Sequence, residues 1–224
     1  MATALMPTNN REMSRAISNK NVLAAQFETA DFDGPFLASF GRPELRGVWI
    51  VWGGSGSGKT TFTLQLCKYL AGFRRVAYDS LEQGLSLSLQ KAWERVEMAE
   101  AGSNIVLLNK EQLPELRERL DKRRSPEIII IDSLQYLDGF NKRSFQKLKN
   151  DYQDKLFVFI CHDKNGNPDG KLATFIRYDA EIKIKVEGFK AFVTTRYEDP
   201  ANGEGGADFI IWEQGAADYW AGKI

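Results

Sequence analysis

"GVWIVWGGSGSGKTTF", residues 47–62, runs from an apolar stretch through glycines and serines into a helix-forming segment. Gly53, Gly58, Lys59 and Thr60 fit the spacing G-x-x-x-x-G-K-[ST], with a strand before it and a helix after it. The chemistry needs those residue types. Glycines let successive backbone N–H groups turn inward around phosphate oxygens, and the helix N-terminus adds its dipole. Gly54, Ser55, Gly56, Ser57 and Thr61 complete the cradle, Lys59 is expected on the β- and γ-phosphates, and the Thr60 hydroxyl on Mg²⁺. The expected ligands are ATP and Mg²⁺.

Outward from that stretch, strand and helix signals alternate. Apolar runs stand at "RRVAYDS", "NIVLLN", "EIIIIDSL" and "KLFVFICH", with helix-like segments at 59–72, 85–100, 111–123 and 142–153. "IIII" and "FVFI" are continuously apolar, as strands covered by helices on both faces must be. The pattern predicts an α/β fold with a doubly wound, mostly parallel sheet. Near the end, "AEIKIKVEGFKAFVTTRYED" alternates Ile182, Ile184 and Val186 with Lys183, Lys185 and Glu187, then turns at Gly188, predicting an antiparallel β-hairpin. "ADFIIWE" predicts one more strand. Residues 1–44 read as a polar extension with a helix-like stretch near Ser14 to Gln26, residues 45–213 as the core, and 214–224 as a short tail.

Composition narrows the class. The 224 residues fit one domain, and 43% hydrophobic residues supply its core. Lys plus Arg equals Asp plus Glu at 30 each, so any nucleic-acid contact needs a local basic patch. The cysteines, Cys67 and Cys161, lie in apolar runs and point to a reducing compartment rather than a disulfide framework. No signal peptide is recognisable and no apolar run approaches the roughly 20 residues of a membrane span, so a cytoplasmic protein with no membrane partner is expected.

Asp132 ends the run "EIIIIDSLQYL" at the carboxyl edge of a buried strand, where a parallel sheet collects its ligands, and can support Mg²⁺. The next residue is Ser133, not the glutamate that would activate water directly beside the metal ligand. Hydrolysis still needs a group to polarise the attacking water. Glu82, in "AYDSLEQG", follows the strand after the phosphate-loop helix. The expectation is that this strand lies beside the loop strand, so that both ends overhang the γ-phosphate.

The order of phosphate loop, strand-end glutamate and "IIIIDS" resembles the RecA-like ATPases. "DSLE" is similar to the corresponding stretch of DnaB-type replicative helicases, "IIIIDSLQYL" to the DSIQT region of RadA-type recombination proteins, and "CHDKNGNPDGK" to their T-K-E-G stretch. "TTRYED" falls where the RadA proteins carry K-N-R-F-G, with Thr194 in place of the family's lysine. The resemblance spans residues 45–212, and phage-type recombination or annealing ATPases have a core of this size. It implies ATP hydrolysis with Glu82 acting on water, Lys59 on phosphate, His162 as a γ-phosphate sensor and Arg196 reaching a neighbouring subunit's nucleotide. It also implies a homo-oligomer, ring or filament. "FETA", Phe27 to Ala30, resembles the F-x-x-A element by which recombinases dock on a neighbouring core.

In such a fold the loops "DGFNKRSFQKLK" and "DKNGNPDGK" face the oligomer axis. Lys142, Arg143 and Lys147, beside Phe140 and Phe145, and Lys164 in the second loop suit a single-stranded DNA partner. Arg143 and Lys147 also suit the solvated face of an amphipathic helix. Other recombination or replication proteins are possible partners. Two alternatives stand beside DNA: an ATP-driven switch that binds a protein, and a small phosphate-loop kinase, for which "DKNGNPDGK" lacks the arginine of a lid.

Overall fold

The computed structural model describes residues 16–223; the start of the expected N-terminal helix lies outside the described residues. In chain order the elements are α1 (Asn19–Leu23), α2 (Gly34–Phe40), β1 (Gly47–Gly53), α3 (Lys59–Leu70), β2 (Val76–Ser80), α4 (Leu87–Arg95), β3 (Ile105–Leu108), α5 (Leu113–Leu120) and β4 (Ile128–Asp132). There follow α6 (Lys142–Asp151), β5 (Leu156–Lys164), β6 (Asn167–Pro168), α7 (Lys171–Asp179), β7 (Ile182–Glu187), β8 (Lys190–Thr195), β9 (Phe209–Ile210) and α8 (Glu213–Trp220). The fold is α/β, with a mostly parallel, doubly wound sheet and a C-terminal antiparallel hairpin.

The strand order is β3-β2-β4-β5-β1-β7-β8-β9, with the short β6 folded back on β5. β1 pairs with β5 and β7 in parallel; β8 turns back antiparallel on β7. This corrects one expectation. β2 does not lie beside β1, because β4 and β5 stand between them. Those strands are apolar without alternation, so they must be covered on both faces and take the middle of the sheet.

Alternate residues of these strands feed two core layers. Trp49, Val51, Ile130, Val158 and Ile160 pack with Phe62, Leu66 and Leu70 of α3 on one face. Val48, Ile50, Ile129, Ile131, Phe157 and Phe159 pack with α5, α6 and α7 on the other. Cys67 and Cys161 fall in opposite layers. In the hairpin, Ile182, Ile184 and Val186 are buried and the intervening Lys183, Lys185 and Glu187 are half-exposed, as period-two alternation requires.

Several segments read as loop or tail are ordered. α7 begins directly after Gly170, hidden behind the Gly/Asn/Pro run that precedes it. The tail carries α8, whose Tyr219 packs on the hairpin tip: an added Cβ at Gly188 would lie 2.1 Å from Tyr219 Cδ1. Residues 30–45 join the core. Phe32 lies 5.0 Å from the ring of Tyr69 and 6.1 Å from that of Phe40, and the Tyr69 hydroxyl donates to Asp33 Oδ1 at 2.9 Å. No helix among the described residues is long and apolar enough to cross a membrane.

One buried carboxylate stands apart from the phosphate loop. Asp79, on β2, is fully buried; its Oδ1 accepts from the Glu111 N–H at 3.2 Å while Oδ2 has no partner. Burial pushes its pKa up to about 7; the Glu111 charge adds to this, while the backbone bond and Arg119 oppose it. An acid whose folded pKa is raised binds more protons folded than unfolded. Stability is therefore lost as pH rises from about 4 to about 7 and is flat above, by on the order of 4 kcal/mol at most.

Two stability outcomes are expected. Phe32→Ala should cost about 3–5 kcal/mol in denaturant unfolding, since its cavity is walled by rigid rings. Asp79→Asn should be more stable than wild type, with a difference that grows between pH 4 and 7 and then levels off; a pH-independent difference would remove the Asp79 titration as its source.

Candidate functional site

The phosphate loop leaves β1 at Gly53, where no side chain fits: an added Cβ would lie 2.4 Å from the Val186 carbonyl oxygen on the neighbouring strand. Gly56 and Gly58 hold φ of +74° and +97°, the left-handed region that glycine adopts freely. Within the loop Ser57 Oγ donates to the Gly54 carbonyl at 2.9 Å, and the Ser57 carbonyl accepts from Phe189 N at 3.0 Å. Helix α3 has Gly58 as its N-cap with no side-chain cap, and its first backbone bond is Phe62 N to Gly58 O at 2.9 Å. The N–H groups of Lys59, Thr60 and Thr61 thus precede the first intrahelical bond, as an anion site at a helix N-terminus requires.

A cleft of about 340 Å³ opens over this loop, lined by Gly54, Ser55, Gly56, Gly58 to Thr61, Glu82, Gln83, Asp132 and Phe189. A larger hollow of about 810 Å³ lies beyond the outer face of α3, where Lys68 is already paired with Glu100 at 2.8 Å. It has no backbone cradle for phosphate. The phosphate-loop residues, Glu82 and Asp132 line the smaller cleft.

Although β2 is separated from β1 by two strands, Glu82 still reaches the cleft. The turn after β2 leans over the end of β4: Leu81 N and Glu82 N both donate to the Asp132 carbonyl, at 2.7 and 3.2 Å. Glu82 Oε2 accepts from Ser133 Oγ at 3.0 Å and lies 3.3 Å from His162 Nε2, and Ser133 Oγ and His162 Nε2 are 3.5 Å apart. His162 pairs across the sheet with Gly53, so it stands at the start of the loop. Burial works against the Glu82 charge, but the bonds from His162 and Ser133 and the charge of Lys59 outweigh it, and its pKa is lowered. The carboxylate is ionised at neutral pH, in the state that accepts a proton or orients water.

Asp132 behaves in the opposite way. Burial raises its pKa and the Glu82 charge adds to this, while the Tyr78 hydroxyl, which donates to Oδ2, and Lys59 offset part of it. A carboxylate held in that setting gains from a nearby cation. Asp132 and Thr60 line the same cleft and offer oxygen donors only, the kind Mg²⁺ takes.

The structure therefore brings Lys59, Thr60, Glu82, Asp132 and His162 together. Arg196 is not among them. β8 runs antiparallel and ends opposite the start of β7, and Arg196 N bonds to the Glu181 carbonyl at 3.2 Å, near where β1 begins. That is the far edge of the sheet, about 17 Å along β1 from its own phosphate loop. Phe27 is exposed with Arg46 over its ring, whereas Ala30 is buried.

Lys142 and Arg143 open α6 and Lys164 ends β5, at the sheet edge that carries the cleft. Lys142 Nζ lies 4.2 Å from the Phe175 ring centroid, and Lys147 bonds to Asp151 at 3.0 Å. The rings beside them point inward: Phe145 is buried and Phe140 stacks on Phe159 at 5.9 Å. "DKNGNPDGK" is a tight hairpin in which Gly166 N donates to Asp163 Oδ1 at 2.9 Å. The indole N–H of Trp52, the residue before the phosphate loop, donates to the Gly166 carbonyl at 3.2 Å, and Arg177 lies over the same ring.

Three residues of the site escape a sequence reading. Ser133 registers there only as a missing glutamate, Tyr78 only as a strand residue, and Phe189 only as a hairpin-turn neighbour of Gly188.

No family model matches this chain, and no curated protein matches it in sequence. Its shape does have relatives. The flagellar accessory protein FlaH from Methanocaldococcus jannaschii superposes with a TM-score of 0.53 at 17% identity, over 74% of this chain and 85% of that one. A second solved structure, described as an ATPase domain, superposes with a TM-score of 0.51 at 18% identity, over 73% and 80%. At such identities the likeness is one of architecture, and what it establishes is that the chain has a RecA-like fold built around a phosphate loop.

Proposed function

We propose that this protein is a Mg²⁺-dependent ATPase that works as a homo-oligomer on single-stranded DNA, in recombination, annealing or replication. The observation that carries the hydrolytic part is the convergence of Lys59, Asp132 and Glu82, from three chain segments, on one cleft over the loop, with His162 on a fourth in contact with Glu82. Lys59 holds the terminal phosphates, Thr60 and Asp132 hold the metal, and Glu82 orients the attacking water. Mg²⁺, when bound, neutralises charge developing on the phosphate oxygens. His162 bonds to Glu82 and so relays the state of the γ-phosphate. That one structural neighbour is by description an ATPase domain supports hydrolysis.

The oligomeric part rests on Arg196. On the far edge it has no role in its own chain's cleft, and an arginine there serves a nucleotide only across a subunit boundary. The DNA part rests on Lys142, Arg143 and Lys164 at the cleft edge.

A second reading of the same fold, an ATP-driven switch on a protein partner, is favoured by a specific observation. Leu85 and Leu87, directly after the Glu82 turn, are exposed and line an apolar hollow with Trp93.

Steady-state phosphate release tests these readings. Glu82→Gln and Lys59→Ala should each lower kcat by about 10²-fold or more, and Ser133→Ala should lower kcat by less, with KM unchanged. Single-stranded DNA should stimulate the wild type but not a Lys142→Glu/Arg143→Glu variant. An ATPase indifferent to DNA favours the protein-binding switch, and full turnover in Glu82→Gln overturns the assignment of the water-orienting group. Mixing inactive Lys59→Ala with Arg196→Ala subunits should restore part of the activity if Arg196 acts in trans.

A further inference from the structure

The tip of the β7–β8 hairpin is built at a cost. Both central residues of this two-residue turn have positive φ, +52° at Gly188 and +58° at Phe189. Two-residue hairpins favour such turns, but they normally fill them with Asn, Asp or Gly. A bulky aromatic in the left-handed region is a conformational outlier, and outliers of this kind persist where the surroundings over-determine them and tend to mark working positions.

Here the surroundings do over-determine it. Phe189 N donates to the Ser57 carbonyl and the Phe189 carbonyl accepts from Ile211 N, both at 3.0 Å. Tyr219 fills the space behind Gly188, and Trp212 stands edge-on to the Phe189 ring at 5.1 Å and 85°. The ring lies against the phosphate loop: an added Cβ at Gly58 would be 3.1 Å from Phe189 Cδ1. Among the residues lining the cleft, Phe189 is the aromatic one.

The sheet order gives the ring a direction. β4 and β5, which carry Asp132 and His162, lie on one side of β1; β7 and β8, which carry Phe189, lie on the other. A triphosphate whose terminal phosphate points to Asp132 and Glu82 extends its nucleoside end toward the hairpin tip. We infer that Phe189, braced by Trp212, is the stacking shelf for the nucleotide's base. The inference rests on the reading of the cleft as an ATP site and adds the group that holds the end of the ligand that does not react. Stacking on a flat ring selects an aromatic base without reading its edge, so the shelf contributes affinity and alignment rather than base identity.

The test separates base from phosphate. Calorimetric titration with a non-hydrolysable ATP analogue and with inorganic tripolyphosphate, both with Mg²⁺, is compared for wild type, Phe189→Tyr and Phe189→Asn. Asn tolerates the left-handed region, so Phe189→Asn should unfold at the wild-type temperature or above. It should bind the ATP analogue roughly 5- to 150-fold more weakly, the equivalent of one lost base stack, and tripolyphosphate as wild type does. Phe189→Tyr should restore nucleotide affinity. Parallel loss of both ligands in Phe189→Asn shows that the ring merely shapes the loop, and unchanged nucleotide affinity shows that it does not touch the base; either overturns the shelf while leaving the ATP site standing. Wild-type protein that binds neither ligand overturns the ATP site and the shelf with it.

Discussion

The backbone carbonyl of Asp132 accepts two hydrogen bonds from the turn after β2, from Leu81 N and Glu82 N. Through this junction a carboxylate belonging to a strand that is not the phosphate loop's neighbour is delivered to the loop. The carbonyl at the end of a strand would otherwise face solvent; here it fixes the path of the next strand's exit. Once Glu82 is held there, Ser133 and His162 fall within hydrogen-bonding distance of its carboxylate, and its charge sits opposite Lys59. Asp132 and Glu82, proposed above for the metal and for the attacking water, are therefore tied together through the backbone and are not two independent side chains.

That junction exists because of the strand order, and the strand order follows from packing. β4 and β5 carry apolar side chains on both faces and occupy the centre, with β1 beside them. The sheet's carboxyl edge then presents the ends of β4, β5 and β1 side by side, the edge at which open parallel sheets in general take their ligands. The amphipathic β7–β8 hairpin takes the flank, where half of each strand tolerates exposure.

The parts of this arrangement legible in the sequence are those written in local chemistry. Glycines at fixed spacing encode a loop conformation, continuous apolar runs encode covered strands, and alternation encodes a half-exposed hairpin. Glu82 stands out because Asp132 is followed by Ser133, which leaves the water-orienting role to be filled from elsewhere. What stays hidden depends on contacts distant in the chain. The place of β2 in the sheet is decided by its neighbours' burial, and Phe140 and Phe145 read as exposed rings until Phe159 is seen beneath them. Phe189 is hidden for another reason: sequence pattern assigns that turn position to small polar residues, so a ring there becomes visible only through its backbone angle and its place over the loop.

Trp52 has a mechanical consequence. It is the last side chain before the phosphate loop, its indole is bonded to the Gly166 carbonyl in the β5–β6 hairpin, and Arg177 of α7 covers its ring. His162 and Lys164 lie on the same strand, two residues apart, one in contact with Glu82 and the other at the hairpin. The loop and the hairpin are thus joined by two parallel links, an indole and a stretch of strand, like the sides of a parallelogram. The path of the loop's first residue and the seat of the hairpin are therefore set together, by one indole hydrogen bond and one strand pairing.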